Sequence, residues 1–393
     1  MNRLKGSPPP RSAASGTYDA DVLIAGGGPA GLATAVRAAR AGLSALVCEP
    51  RPAPVDKACG EGLMPYGVRE LAALGARPAG VRLSGIEYAD LAGRRVTARF
   101  APEAGLGVRR TELHAALAAA AEEAGAELLR ARLPGTTVRQ DAAGVTAGGL
   151  RARWLVAADG LHSPVRRRLG VPVHAGAPRR FGLRRHWRTA PWSDTVQVIW
   201  GPHAEAYVTP VSAQLVGVAV LFGPGRLPPR HGTAGTRDTA GADSTAGTDG
   251  TDDTARRADT YTALLRGFPR LAERLASAAP ASPVRGAGPM RQLPRRRVHG
   301  RVLLVGDAAG YEDALTGEGV SLAFAQAAAA VDAMAAGTPE RYEADWARIT
   351  RRYRLWTRAL VLATAPAPAR RLLLPCAAAL PGVFGAAVRR LAR

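Results

Sequence analysis

A mixed α/β fold is what this sequence predicts: a parallel-sheet unit interrupted by a mostly antiparallel β-sheet unit and followed by C-terminal helices. Three observations predict it. Over residues 18–80, 106–172 and 287–340, short apolar strands alternate with Ala-rich helices. Over 81–105 and 173–224 strands follow one another directly, as in Thr195-Val196-Gln197-Val198-Ile199-Trp200. The first apolar strand runs into Gly26-Gly27-Gly28-Pro29-Ala30-Gly31 and then a helix, which is a GxGxxG motif in the strand–turn–helix setting of a Rossmann-like domain.

Composition bounds the rest. The 393 residues are 47% hydrophobic and 22% charged, a globular make-up with length for two or three cores. Cys48, Cys59 and Cys376 are too few for a disulfide framework and lack metal-ligand spacing, so we expect no metal site and a reducing cytoplasm. Residues 1–17 form a Pro/Ser/Ala tail, expected to be disordered and without the apolar stretch of a secretory signal. The net charge of +21 rests almost wholly on arginine, since only Lys5 and Lys57 are lysines. The arginines are scattered without interleaved aromatics, which argues against nucleic acid and leaves attraction to anionic cofactors or membrane surfaces.

The elements follow in order. Val22 to Ala25 reads as a buried strand. Gly26 permits the tight turn, Gly28 lets a pyrophosphate approach the backbone, and Gly31 lets helix and strand pack closely, with Pro29 and Ala30 opening the helix. Phosphates there meet free N–H groups and the positive end of the helix dipole. The second strand ends at Glu49, 18 residues beyond Gly31, where a carboxylate accepts ribose hydroxyls and repels a 2′-phosphate. An adenine dinucleotide lacking that phosphate, FAD or NAD, is implied. Residues 225–260 are Thr/Ala/Gly/Asp-rich and read as a mobile surface insertion, with helix resuming at Tyr261. A late strand, Val302 to Val305, ends in Gly306-Asp307, followed by Thr316-Gly317-Glu318-Gly319 and a helix to Ala336. A long flavin dinucleotide uses such a late return: Asp307 accepts from ribityl hydroxyls, and the second helix N-terminus faces the pyrimidine ring. FAD is therefore the expected cofactor. Residues 341–393 are expected to be C-terminal helices. Within them the uncharged stretch Leu372 to Val388 suits two short helices, packed on the body or lying in a membrane interface.

The glycine motif, the later Trp154-Leu155-Val156-Ala157-Ala158-Asp159-Gly160 with Ser163 and Arg166, and the Gly306-Asp307 turn come in a telling order. That order resembles flavoprotein hydroxylases of the para-hydroxybenzoate hydroxylase type and the geranylgeranyl reductases, over roughly 18–340. The resemblance implies that Asp159 and Gly160 lie near the flavin and the dinucleotide phosphates, and that Arg110 reaches the FAD. Lys57-Ala58-Cys59-Gly60-Glu61-Gly62-Leu63 resembles the CGEG segment of the reductases, which lies against the flavin, and Gly317-Glu318-Gly319 resembles their GEG ending. These two segments favour a reductase, in which reduced FAD delivers a hydride to a double bond of a lipophilic isoprenoid or polyketide-like substrate. Cys59 and Glu61 are then the catalytic candidates, with Cys59 donating a proton; the plain alternatives are a packing role for Cys59 and a loop-supporting role for Glu61 and Glu318. The rival function is an NAD(P)H-dependent monooxygenase acting on a lipophilic or aromatic metabolite. No second GxGxxG is present, so NAD(P)H would bind only transiently. Arg184, Arg185 and His186 either meet its phosphates or form a solvated basic strand. Tyr207-Val208-Thr209-Pro210 only partly echoes the reductases' aromatic substrate motif.

Overall fold

The computed structural model describes residues 18–174, 179–223 and 251–364, with Pro375, Ala377 and Ala379. The expected N-terminal tail, the insertion up to residue 250 and nearly all of the uncharged stretch 372–388 lie outside the described residues.

The chain opens with β1 (Ala20–Ala25), α1 (Pro29–Arg40) and β2 (Ala45–Cys48). Next come β3 (Gly85–Asp90), β4 (Arg95–Arg99), α2 (Arg110–Glu123), β5 (Glu127–Leu129) and β6 (Leu150–Ala157). A run of strands follows: β7 (Phe181–Arg188), β8 (Thr195–Trp200), β9 (Ala204–Ser212) and β10 (Leu215–Phe222). The described chain ends with α3 (Thr251–Leu265), β11 (Val302–Leu304), α4 (Gly319–Ala335) and α5 (Arg341–Thr364).

Strands β11, β6, β1, β2 and β5 lie side by side and parallel, with Val22 opposite Ala45 on one flank and Trp154 on the other. Val22, Leu23 and Ile24 are at most 1% exposed, so both faces of β1 are covered and its sequence reads as an unbroken apolar run. Each such side chain contributes about 1.5–3 kcal/mol by leaving water. The connection after β1 leads to β2 on one side, whereas its other neighbour β6 arrives more than a hundred residues later. A crevice for a ligand opens at the carboxyl ends of strands where the order divides in this way.

The second sheet runs β7-β10-β9-β8-β3-β4, antiparallel except where β8 lies parallel to β3. Its outer strand β4 alternates exposed Arg95, Thr97 and Arg99 with buried Val96 and Ala98, as expected of one solvated face. Two short strands, Ala279–Pro280 and Arg285–Ala287, also pair with β7 and extend this sheet beyond the stretches read from the sequence. The reading of 251–260 as mobile insertion is corrected, because helix α3 begins at Thr251. Asp253 and Arg257 pair one turn apart at 2.5 Å, and Tyr261, Leu264 and Leu265 of the same helix bury against the back of the sheet.

Helix α5 spans both units. Its Tyr342 hydroxyl donates to the Leu304 carbonyl at 2.9 Å, and Trp346 is buried beneath the Arg297 guanidinium. At its other end Leu360 and Val361 pack on the second sheet's apolar cluster.

Candidate active site

The turn between β1 and α1 is fixed by close approach. Gly26 has φ +102°, and a Cβ there would stand 2.6 Å from the Ala158 carbonyl oxygen. A Cβ on Gly31 would overlap the Gly26 carbonyl oxygen outright. Gly28 is extended, Pro29 opens the helix, and no side chain caps it, so the first N–H groups of α1 remain available to an anion. The Gly27 N–H donates to Glu49 Oε2 at 3.0 Å, while Arg51 Nε donates to Glu49 Oε1 at 2.7 Å. Burial pushes the Glu49 carboxyl up, but Arg51 and these N–H donors hold it below the usual range, so it is ionised as a ribose acceptor must be.

Helix α2 faces this turn. Arg110 is 8% exposed, and its Nη2 would lie 3.8 Å from a Cβ placed on Gly28. The Nε atoms of Arg109 and Arg110 are buried without a hydrogen-bond partner, as is the Thr111 hydroxyl. Buried donors left this way cost about 1–3 kcal/mol each, and an anion laid across the turn would satisfy them.

The other two segments converge on the same place. Asp159 accepts the Val165 N–H at 3.1 Å through Oδ2, while Oδ1 is buried without a partner and burial pushes the carboxyl up. Arg166 donates to the carbonyls of Leu161 and Ala308 at 2.6 and 3.0 Å, tying this segment to the Gly306-Asp307 turn. Gly306 has φ +66°, its N–H donates to Gln326 Oε1 at 2.8 Å, and a Cβ there would be 2.7 Å from the Ala30 methyl. Lys57 Nζ donates to Asp307 Oδ2 at 3.0 Å and lies 3.5 Å from where a Cβ of Gly160 would be. Burial works against ionisation of Asp307, but Lys57, Arg110 and Arg166 hold its carboxyl below the usual range.

The CGEG turn lies between these segments and the second sheet. Cys59 is half-buried and its Sγ accepts the Glu61 N–H at 3.4 Å. Gly60 is exposed with open space around its Cα, and its carbonyl accepts from Thr209 Oγ1 at 2.8 Å. Glu61 has φ +61°, which for a residue with a Cβ costs about 1–2 kcal/mol. Its side chain is 1% exposed, and both oxygens are engaged: Oε1 accepts the Arg110 N–H at 2.9 Å and Oε2 meets His186 Nε2 at 2.6 Å. That geometry removes Glu61 from the role of catalytic acid, because neither oxygen faces an open space. Arg184 and His186 are likewise neither solvated nor free for a cofactor's phosphates. Each is 1% exposed, and Arg184 Nη2 pairs with Asp56 at 2.5 Å.

Gly317 has φ +68°, and a Cβ placed on it would lie 3.7 Å from the Gly62 carbonyl oxygen, so the CGEG and GEG turns are neighbours. Glu318 stands at the N-cap position of α4 without a capping side-chain bond, its Oε2 is buried without a partner, and burial pushes its carboxyl up to about 7 against the Thr316 hydroxyl and Arg352. Gly319 opens the helix, and a recess lined by Gly306, Asp307, Gly310, Tyr311 and Gly319 lies at its foot.

Beyond the CGEG turn, one face of the second sheet presents Ile86, Tyr88, Val196, Val198, Trp200 and Tyr207, closed by Met64 and Leu315. Buried ions stand within this wall, which sequence reading missed. Arg180 pairs with Glu205 at 2.7 Å and Asp313 at 3.3 Å, and the Tyr207 hydroxyl donates to Glu205 at 3.1 Å. Burial and Glu205 push the Asp313 carboxyl up to about 6, with Arg180 opposing. Nothing in a strand's own sequence marks such a pairing, since its partners come from three elements.

The sequence pattern of the FAD binding domain family matches residues 19–344. Menaquinone reductase of Mycobacterium tuberculosis is 35% identical over 196 residues, 44% of this chain and 46% of that protein. Menaquinone reductase of Mycolicibacterium smegmatis is 36% identical over 173 residues, 39% of this chain and 41% of that protein. The alignment thus spans less than half the length of these curated relatives. Among solved structures, the flavin-dependent brominase Bmp2 superposes at TM-score 0.70 and 18% identity, covering 95% of this chain and 93% of its own. The myxobacterial chondrochloren halogenase CndH superposes at TM-score 0.69 and 20% identity, covering 87% of this chain and 82% of its own. The Diels-Alderase PyrE3 of pyrroindomycin biosynthesis superposes at TM-score 0.69 and 23% identity, covering 94% and 80%. At these identities the solved structures show a shared fold.

The chain belongs to the FAD binding domain family, and its cofactor is FAD. The residues present fit that group: an uncapped helix start, orphaned arginine donors beside it, an ionised Asp307 and an open turn at Gly60.

Proposed function

We propose that this member of the FAD binding domain family is an FAD-dependent oxidoreductase that saturates a double bond in a lipophilic isoprenoid, an isoprenoid quinone among the candidates. The observation that carries this reading is the placement of the Cys59-Gly60 turn. It is open, Gly62 just beyond it neighbours the GEG turn before α4, and the same glycine faces Val196 of an apolar wall fit for a greasy ligand. The curated relatives' name, menaquinone reductase, supports the same class of substrate and chemistry.

In this reading Gly26 to Gly31, Glu49, Arg109 and Arg110 hold the dinucleotide end. Asp159, Gly160, Asp307 and the start of α4 at Gly317 to Gly319 hold the flavin end. Bound and reduced, FAD supplies the hydride, and NAD(P)H is the proposed reductant. Cys59 donates the proton that completes addition at the neighbouring carbon, so substrate gains two hydrogens and the thiolate regains its proton from water. The apolar wall orients the chain and excludes solvent. The outer face of α5 suits shallow contact with an anionic membrane from which such a substrate would come: Leu355, Trp356 and Leu362 are 62%, 49% and 55% exposed among exposed Arg351, Arg352 and Arg358. Among the described residues no helix is long and apolar enough to cross a membrane.

The test is turnover of a polyprenyl naphthoquinone by the FAD-loaded protein with NAD(P)H, with product mass read by mass spectrometry. Product that still carries two added hydrogens after mild reoxidation of any quinol to quinone, formed equally well without oxygen, is expected. Product that carries an atom from labelled oxygen, and none without it, would make the protein a monooxygenase.

A further inference from the structure

Glu61 is the one described residue other than glycine with positive φ, and it lies where three parts of the chain meet. Its own backbone is part of the turn: the N–H donates to Cys59 Sγ, and the carbonyl accepts the Val108 N–H at 2.9 Å. Its carboxylate reaches two further elements. Oε1 accepts the Arg110 N–H at the start of α2, the helix facing the phosphate turn, and Oε2 meets His186 on β7 of the second sheet.

The direction of the His186 bond can be assigned from its other partner. Arg184 Nη1 lies 3.1 Å from His186 Nδ1, and a guanidinium only donates. Nδ1 therefore accepts, leaving Nε2–H to donate to Glu61. The Ser282 hydroxyl, 3.0 Å from the same Nδ1, completes the ring's surroundings. The Arg184 guanidinium itself also stands 3.8 Å from Oε1, so the groups that face the carboxylate are all N–H donors, two of them at hydrogen-bond distance. Only a side chain with two acceptor oxygens satisfies them, and only a glycine opposite leaves it room: a Cβ on Gly217 would stand 2.8 Å from Oε2.

We propose that Glu61 is a positioning residue, whose carboxylate is clamped between the Arg110 N–H and the His186 Nε2–H and sets the turn that presents Cys59. The left-handed backbone is held by this bracket, and through it the cofactor-facing helix and the substrate-facing sheet share one fixed point. Ser282 acts at one remove, by orienting the His186 ring, and Arg184 does the same while its Nη2 also faces Oε1 at 3.8 Å. The part assigned to turnover rests on the reductase reading; the part assigned to Cys59 does not.

Two substitutions separate the carboxylate from the backbone. Glu61→Gln keeps size but sets an N–H against one of the two N–H donors. Glu61→Gly relaxes the positive φ and deletes the bracket. The measurement is the peptide-resolved rate and pH profile of Cys59 alkylation by iodoacetamide in the purified protein without substrate, alongside FAD content and the separate kcat and KM of turnover. Both variants should shift Cys59 alkylation at least about threefold and lower kcat about tenfold or more, with KM changed less than kcat, as displacement of a reacting group predicts. His186→Gln, which retains an N–H donor at the same reach, should stay near the parent, whereas His186→Leu should behave like Glu61→Gln. Should a Glu61 variant fail to fold, the His186 pair decides alone. Parental Cys59 reactivity in both Glu61 variants, or equal behaviour of the two His186 variants, would overturn the proposal. A protein that saturates no isoprenoid yet shows the Cys59 shifts would retain the bracket and lose only the reductase reading.

Discussion

The turn at Gly26–Gly31 and the turn at Cys59–Gly62 do comparable jobs, each presenting backbone to a cofactor, yet they are built on different principles. The first is local: glycines at 26 and 31 remove the Cβ atoms that would strike Ala158 and Gly26, and a helix follows at once to supply N–H groups. The second is assembled from afar, with Arg110, His186 and Thr209 all reaching into it. A backbone requirement is written where it acts, whereas a clamp of side chains is written wherever the chain happens to return.

The largest effect should come from the local turn. Gly31→Ala forces a methyl onto the Gly26 carbonyl with no flexible neighbour to yield, so we expect a loss above about 4 kcal/mol or no soluble protein, read by thermal unfolding and FAD content. Next is Asp307→Ala, which deletes the proposed ribityl acceptor and leaves Lys57 and Arg110 short of a partner. FAD affinity should fall at least about tenfold, equal to roughly 1.4 kcal/mol, by equilibrium titration of the FAD-free protein; unchanged affinity would detach Asp307 from the cofactor. Cys59→Ser should lower turnover about tenfold to a hundredfold with FAD still bound, since a hydroxyl is the poorer proton donor. Unchanged kcat would return Cys59 to packing.

The smallest effect concerns Glu318, whose folded value of about 7 lies above the ordinary 4.5. The folded chain then holds this proton more tightly than the unfolded chain, so stability falls as pH rises from about 4.5 to about 7 and is level beyond, by at most about 1.4 kcal/mol per pH unit. Glu318→Gln should flatten that fall in urea unfolding of the FAD-free protein, and an unaltered slope would assign it to another group.

The same contrast explains what was legible. The parallel-sheet strands, the three ordered motifs and the strands of the second sheet follow from apolar runs and glycines read in place. Arg184 and His186 were misread as solvated or phosphate-binding because burial of a charged strand residue depends on Asp56 and Glu61, more than a hundred residues earlier. Residues 251–260 were misread because a Thr/Ala/Asp composition gives no sign of a helix whose buried residues, Tyr261 and Leu264, come only after it. The Arg180–Glu205–Asp313 cluster gave no local sign at all.

Cofactor protection of Cys59 tests the central arrangement most directly. Alkylation of FAD-free protein should label Cys59 readily and leave Cys48, whose thiol is buried and pushed up to about 11, unlabelled. Added FAD should slow labelling of Cys59 severalfold while Cys48 stays silent. Equal Cys59 rates with and without bound FAD would place the CGEG turn away from the cofactor and contradict the account.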